Sequence, residues 1–158
     1  MIIRPVTKED RGAIRRLMES TGTFTSEEVR VAMEVVEDAL ARPGEEAEYT
    51  VLCAVDGDGE CNGYICFGPI PMTDHRYDLY WIATDRGRFR QGVGGELLQA
   101  MTARVAARKG KRIYVDTSST PPYGAAREFY EKHGFHLAGA LPDFYREGDS
   151  KMIYMKEI

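Results

Sequence analysis

Cysteine is scarce in this chain: only Cys53, Cys61 and Cys66 occur, at spacings that fit neither a zinc site nor a disulfide framework. Each lies in or beside an apolar, strand-like run, so reduced thiols in or near the core are expected. No stretch approaches the ~20 consecutive apolar residues that a bilayer-spanning helix needs. The opening Met1-Ile2-Ile3-Arg4-Pro5 soon turns charged and offers no apolar targeting segment, which leaves the cytoplasm as the default expectation. Neither sign of charge dominates, because 21 Lys and Arg stand against 25 Asp and Glu, a net charge of −4, with the signs interspersed. Bulk charge therefore gives no nucleic-acid footprint, and neither nucleic acid nor membrane is expected as a partner. Repeats, linkers and low-complexity tracts are also missing. What remains, 158 residues of which 43% are hydrophobic, suits one ordinary domain, 1–158, around one core.

Periodicity supplies the element order. Residues 2 to 6 read as a first strand. Thr7-x-x-Asp10 then opens a helix carrying Ile14, Leu17 and Met18 on one face, and Thr25-x-x-Glu28 opens a second, with Val29, Met33, Val36 and Leu40, that stops at Pro43-Gly44. Tyr49–Val55 and Tyr64–Phe67 flank the turn Asp56-Gly57-Asp58-Gly59 as a hairpin. Leu79–Thr84 follows as a strand whose large apolar residues suit a position covered on both faces. Glu96–Lys109 reads as a helix, Ile113–Val115 as a strand, and Pro121-Pro122 as the start of a last helix closed by Gly134. Strands near Phe135–Leu141 and Met152–Lys156 complete the chain. Such an order of strands and helices predicts an α/β sheet domain with helices on both faces.

The most informative stretch joins a buried strand to a strongly patterned helix: Thr84-Asp85-Arg86-Gly87-Arg88-Phe89-Arg90-Gln91-Gly92-Val93-Gly94-Gly95-Glu96. Glycines let main-chain N–H groups converge on an anion, and a helix start adds unsatisfied donors and a partial positive charge. Arg86, Arg88 and Arg90 could pair with further phosphate oxygens. Glycines also make ordinary tight turns, so the loop alone supports both readings. Leu97 stands where a dinucleotide fingerprint needs its third glycine, and the Lys-Ser/Thr pair of a nucleoside-triphosphate loop is missing.

Gly92-Val93-Gly94 followed by Leu97-Leu98, together with Ala126-Arg127-Glu128-Phe129-Tyr130-Glu131-Lys132-His133-Gly134-Phe135, resembles the GNAT acyltransferases. That family's patterns are Gln/Arg-x-x-Gly-x-Gly/Ala and Ala-x-x-Phe-Tyr-Glu-Lys-x-Gly-Phe. Phe89 stands where the family has Gln or Arg, and Tyr123 where it often has Asn. The resemblance implies a mixed, mostly antiparallel twisted sheet of about seven strands with helices on both faces. In such a sheet the fourth and fifth strands, near residues 79 to 84 and 112 to 117, splay apart. It further implies acetyl-CoA as acyl donor, with the pyrophosphate held by Phe89, Arg90, Gln91, Gly92, Val93, Gly94 and Gly95, and with Tyr123 beside the cofactor. Backbone groups of Ile82, Ala83 and Thr84 would hold the pantetheine arm and polarise the thioester carbonyl.

Acetyl transfer to an amine needs a neutral amine, a stabilised carbonyl oxygen and a proton for the thiolate that leaves. Tyr130 is the expected acid, since a phenol of pKa near 10 matches a thiolate in basicity. Packing beside Phe129 in the core is the alternative role for that ring. Asp78, just before the fourth strand, and Asp116, at the end of the fifth, are the candidate bases, directly or through water, with solvated strand-end carboxylates as the alternative. Thr117–Thr120 reads as a turn and helix entry, and His75, His133 and His136 show no metal spacing, so no metal is expected. His133 is expected to meet the dipole at a helix end. The resemblance also implies that the acceptor, a primary amine of a small molecule or a peptide, would lie among Ser20–Thr25, Pro69–Tyr77 and Pro142–Ser150, where the aromatics Phe24, Tyr77, Phe144 and Tyr145 suit a cation. A catalytically silent acyl-CoA sensor or interaction module is the second expectation, motivated by Phe89 and Tyr123. The β-rich C-terminal end could also pair two copies into a homodimer.

Overall fold

The computed structural model describes residues 1–44, 46–87 and 92–158. Strand β1 (Ile2–Pro5) leads into a 3₁₀ turn (Lys8–Asp10) and helix α1 (Arg11–Ser20). At that turn the Asp10 carboxylate accepts from the Thr7 amide at 2.7 Å and from the Arg4 guanidinium at 2.7 and 3.0 Å, so one acid caps the turn and ties it to β1. Helix α2 (Ser26–Ala41) opens on a reciprocal capping box between Thr25 and Glu28, both bonds 3.1 Å. Strands β2 (Thr50–Val55), β3 (Cys61–Pro69) and β4 (Arg76–Thr84) follow, then α3 (Val93–Ala107), β5 (Arg112–Ser118), α4 (Gly124–Lys132), β6 (His136–Arg146) and β7 (Asp149–Glu157).

The seven strands form one sheet in the order β1-β2-β3-β4-β5-β7-β6. Every pairing is antiparallel except β4 with β5. Two cores lie against the sheet. On one face Ile14, Leu17 and Met18 of α1 and Val29, Met33 and Val36 of α2 pack with Cys53, Tyr64 and Cys66. On the other, Leu97, Met101 and Val105 of α3 and Tyr130 of α4 pack with Leu52, Ile65, Phe67, Ile113 and Val115. Cys53, Cys61 and Cys66 are buried and form no disulfide, as expected of core thiols. Among the described residues, no helix is long and apolar enough to cross a membrane.

Leu79–Thr84 is covered on both faces as expected: Ala83, Tyr80 and Trp81 pack into the core under α1 and α2, and Leu79 and Ile82 into the other, although Tyr80, Trp81 and Ile82 stay partly exposed. The strand expected to end near Leu141 runs further. Strand β6 pairs with β7 from His136↔Met155 to Leu141↔Lys151 with one extra residue at Ala138, breaks register over residues 142 to 145 with Asp143 at φ 53°, and rejoins β7 at Arg146↔Asp149.

Candidate functional site

Strand β4 has different neighbours along its two edges. Toward β3 it is paired from Tyr77 to Thr84, but with one extra residue: Phe67 lies opposite Leu79 and Cys66 opposite Trp81, so Tyr80 is a bulge. Toward β5 it is paired only at Arg76↔Arg112, Tyr77↔Ile113 and Asp78↔Tyr114. A bulge bends its strand and increases the local twist, which accounts for the two parallel strands parting just where Tyr80 is inserted. Beyond Asp78 the β5-facing edge of β4, including Ile82, Ala83 and Thr84, has no strand partner among the described residues. Its main-chain groups border the opening.

At the end of β4 the chain turns into α3. The residues Phe89, Arg90 and Gln91 of the expected phosphate loop lie outside the described residues. Its second half is described. Gly92 adopts a left-handed conformation (φ 75°) with open space where a side chain would project, and its carbonyl accepts the first helical bond from Glu96 at 3.1 Å. As the first turn of a helix, Val93, Gly94 and Gly95 present amides that find no acceptor among the described residues, together with the positive end of the helix dipole. These amides could hold an anion. The glycines at 94 and 95, however, have a packing reason of their own. A Cβ at Gly94 would stand 3.2 Å from the Phe129 ring, and one at Gly95 would stand 3.1 Å from His133. They permit α4 to lie close against α3, whereas Gly92 serves the turn.

Tyr130 stands on α4 with its ring between Phe135 and Tyr154, at centroid distances of 5.6 and 6.3 Å, and only 6% exposed. Burial raises its phenol above the ordinary value, so the proton is held firmly, and the hydroxyl donates to no described residue. His133 is the C-cap of α4, at the helix end as expected. Its ring packs on Phe129 at 4.5 Å, and Lys156 donates to its carbonyl at 2.9 Å, so the lysine closes the helix end. Burial, Lys132 and Lys156 together lower the histidine's pKa and keep it neutral.

On the opposite face of the sheet, the side chains that alternate with the core residues Tyr77 and Leu79 of β4 and Ile113 and Val115 of β5 form the floor of a groove of about 430 Å³. Arg76, Asp78, Tyr114, Asp116 and Ile153 line it from the strands, and Ile70, Thr73 and Asp74 from the β3–β4 connection, so its lining carries three carboxylates and one guanidinium. Burial, and then the charge of Asp116, push the Asp78 carboxyl up to about 6, against the opposing pull of Lys151. Lys151 itself pairs with Asp116 at 3.3 Å and sits 4.7 Å over the Phe144 ring. Tyr145 is tuned upward by burial and by the charges of Asp116 and Asp149, which shows that acidic groups gather along this side. A larger hollow of about 530 Å³ along the α2–β2 connection is lined by the exposed pair of Arg42 with Asp38 and by Glu48, and it offers no comparable chemistry.

The turn between α1 and α2 is clamped from two sides. Arg86, expected near phosphate, donates to the Thr21 carbonyl at 2.6 Å. Tyr123, expected beside a cofactor, donates from its hydroxyl to the Thr23 carbonyl at 3.0 Å. Ser118 and Thr120 act as the turn and helix entry read from the sequence: Ser118 Oγ meets the Asp149 carboxylate at 2.5 Å, and Arg127 donates to both main-chain carbonyls at 2.6 and 3.0 Å. Sequence reasoning missed Lys151 and the clamp made by Tyr123. A lysine among strand residues was the only signal for the former, and nothing local announces the latter.

The profile of the Acetyltransferase (GNAT) domain matches residues 47–137. Among solved structures, a protein assigned to the GNAT acetyltransferases from Desulfovibrio desulfuricans is 39% identical, with a TM-score of 0.93 over 99% of this chain and 98% of that one. An aminoglycoside 6′-N-acetyltransferase complexed with coenzyme A has a TM-score of 0.76 at 21% identity, covering 99% of this chain and 97% of its own. The ribosomal-protein-S18-alanine N-acetyltransferase of Escherichia coli has a TM-score of 0.76 at 19% identity, covering 99% and 93%. At such identities the last two share the fold. No curated protein sequence matches the chain. The profile match across more than half of the chain, and the close relative along nearly all of it, make this protein a member of the GNAT acetyltransferase family.

Proposed function

We propose that the chain, as one domain over residues 1–158, is an acetyl-CoA-dependent N-acetyltransferase that passes the acetyl group directly to a primary amine of a small cationic molecule or a peptide. The observation that carries this reading is the parting of β4 from β5 after Asp78, which leaves one edge of β4 free between the start of α3 and the acidic groove.

The donor fits the residues present. The amides of Val93, Gly94 and Gly95 can donate to the pyrophosphate oxygens, and the open space at Gly92 lets the group approach the main chain. Main-chain groups of Ile82, Ala83 and Thr84 can bond the pantetheine amides as a missing strand would, and an N–H of that edge can stabilise charge on the thioester oxygen. Acetyl-CoA supplies an activated acyl group; the chain supplies position and proton traffic. Asp78, with its pKa near 6, is ionised at neutral pH yet basic enough to take a proton from an incoming ammonium, directly or through water. Asp116 raises that basicity and adds negative charge that favours a cationic acceptor. Tyr130 stays protonated at neutral pH and is the proton donor to the departing thiolate in this reading, the burial that raises its pKa making it a weaker acid than a free phenol. Tyr123 and Arg86 hold the α1–α2 turn as one wall of the acceptor site.

Thiol release from acetyl-CoA against amino acids, polyamines, aminoglycosides and peptide N-termini, with mass spectrometry of the products, tests the proposal. An N-acetylated product from a cationic acceptor is expected. Tight acetyl-CoA binding without turnover on any amine would instead make the protein an acyl-CoA sensor.

A further inference from the structure

The acidic groove already holds an amine that belongs to the chain. Of the six lysines in the sequence, Lys8, Lys109, Lys111 and Lys132 are exposed, and Lys156 is engaged by the His133 carbonyl. Among the described residues it is Lys151 that reaches the groove. Its Nζ lies 3.3 Å from Asp116 Oδ2 and 4.7 Å from the centre of the Phe144 ring. A carboxylate on one side and an aromatic face on the other make a site for an ammonium group.

Strand register sets this amine beside the gap. Lys151 stands on β7 opposite Ser118, and Asp116 stands on β5 opposite Ile153, so the two are diagonal neighbours on one face of the sheet. The β4–β5 ladder ends at Asp78↔Tyr114, which makes Asp116 the first residue of β5 past the ladder whose side chain lines the groove. The lysine therefore lies along the wall of the opening that the acyl arm enters in the proposed reaction. Its charge is also felt by Asp78, on the other strand of that opening.

Stability does not account for the pair. The Lys151 and Asp116 side chains are 24% and 45% exposed, and an ion pair so open to water contributes little. Lys151 is still more enclosed than the four exposed lysines, so acetyl-CoA acting from solution would modify it after them. A donor bound in the gap reverses that order, because proximity converts a slow encounter into an intramolecular step.

We propose that Lys151 is a self-acetylation site, an amine of the chain's own acceptor groove that bound acetyl-CoA modifies when no external amine is present; this rests on the acetyltransferase reading. The Lys151 ammonium passes one proton to Asp116 and from there to water. The freed Nζ electron pair attacks the thioester carbonyl, the C–N bond forms as the C–S bond breaks, and the departing thiolate takes the proton of Tyr130. The second proton shed by the nitrogen restores that phenol through water, so the products are acetyl-lysine, CoA thiol and one released proton. Acetylation removes the charge that competes with an external cation for Asp116, and it leaves both carboxylates to the acceptor.

Mass spectrometry of the full chain and of its peptides, after incubation with acetyl-CoA and no amine, tests the proposal. One acetyl per chain is expected on Lys151, at a rate independent of chain concentration, with Lys8, Lys109, Lys111 and Lys132 labelled more slowly. The variant Lys151→Arg, which keeps the cation, should take up no acetyl over the same period. Equal labelling of the exposed lysines, a rate that rises with chain concentration, or as much acetyl on the arginine variant would each overturn self-acetylation. The same preparation is then offered polyamines, aminoglycosides and peptide N-termini. An acetylated product with Lys151 left bare overturns self-acetylation alone, whereas neither a product nor a labelled lysine overturns the acetyltransferase reading with it.

Discussion

Asp78 carries opposing demands. Its carboxyl is raised from 3.8 to about 6, so the folded state binds its proton more tightly than the unfolded chain does. Across that interval stability falls as pH rises, and above about 6 the folded protein bears the full cost of an ionised, half-buried carboxylate beside Asp116. Replacing Asp78 by Asn is therefore expected to raise the melting temperature at neutral pH while it slows acetyl transfer. The acid limb of the pH–rate profile, centred near 6 in the wild type, should vanish with it; an unaltered limb would assign that titration elsewhere. Tyr130 separates packing from chemistry. Because its hydroxyl makes no bond to a described residue, Tyr130→Phe should leave the melting temperature nearly unchanged. Leaving-group protonation by this phenol predicts a drop in turnover of roughly 10²- to 10⁴-fold with acetyl-CoA binding intact. Full activity in the phenylalanine variant would reduce Tyr130 to a core ring among Phe129, Phe135 and Tyr154.

At the scale of elements, the glycine run at the start of α3 combines a turn and a packing surface. Gly94→Ala drives a methyl group against Phe129 and is expected to cost about 1–3 kcal/mol in denaturant unfolding through loss of α3–α4 contact. Gly92→Ala meets no neighbour, and its cost, about 1–2 kcal/mol, comes from the left-handed backbone alone. Truncating Phe129 alongside should relieve the first penalty and leave the second, which a double-mutant cycle can read. The α1–α2 turn depends on contacts from distant elements. Tyr123→Phe removes the donor to Thr23, a bond worth about 0.5–1.5 kcal/mol, and should raise KM for the amine roughly threefold to tenfold with little change in KM for acetyl-CoA. Equal changes in both would place Tyr123 at the donor instead.

For the whole molecule, the seven-stranded sheet gives each of its distinct regions a separate task. The face under α1 and α2 ends in the acidic groove, the face under α3 and α4 contains the packed Tyr130, and the gap between β4 and β5 opens between them.

The amino-acid order by itself determined the succession of strands and helices, the two capping boxes and the glycine turn before α3. Each of these rests on periodicity or on hydrogen bonds spanning three or four residues, as between Thr25 and Glu28. The same order led to the family through Gly92-Val93-Gly94 and the run Ala126–Phe135. Tertiary structure decided the rest: that a bulge at Tyr80 turns β4 from β5, that Asp78 and Asp116 line one groove, and that Lys156 bonds the carbonyl of His133 at the end of α4. It also set Tyr123 against a carbonyl 100 residues earlier in the chain. Which side chains become neighbours across a sheet depends on strand order and register, and a single extra residue in one strand redirects everything beyond it.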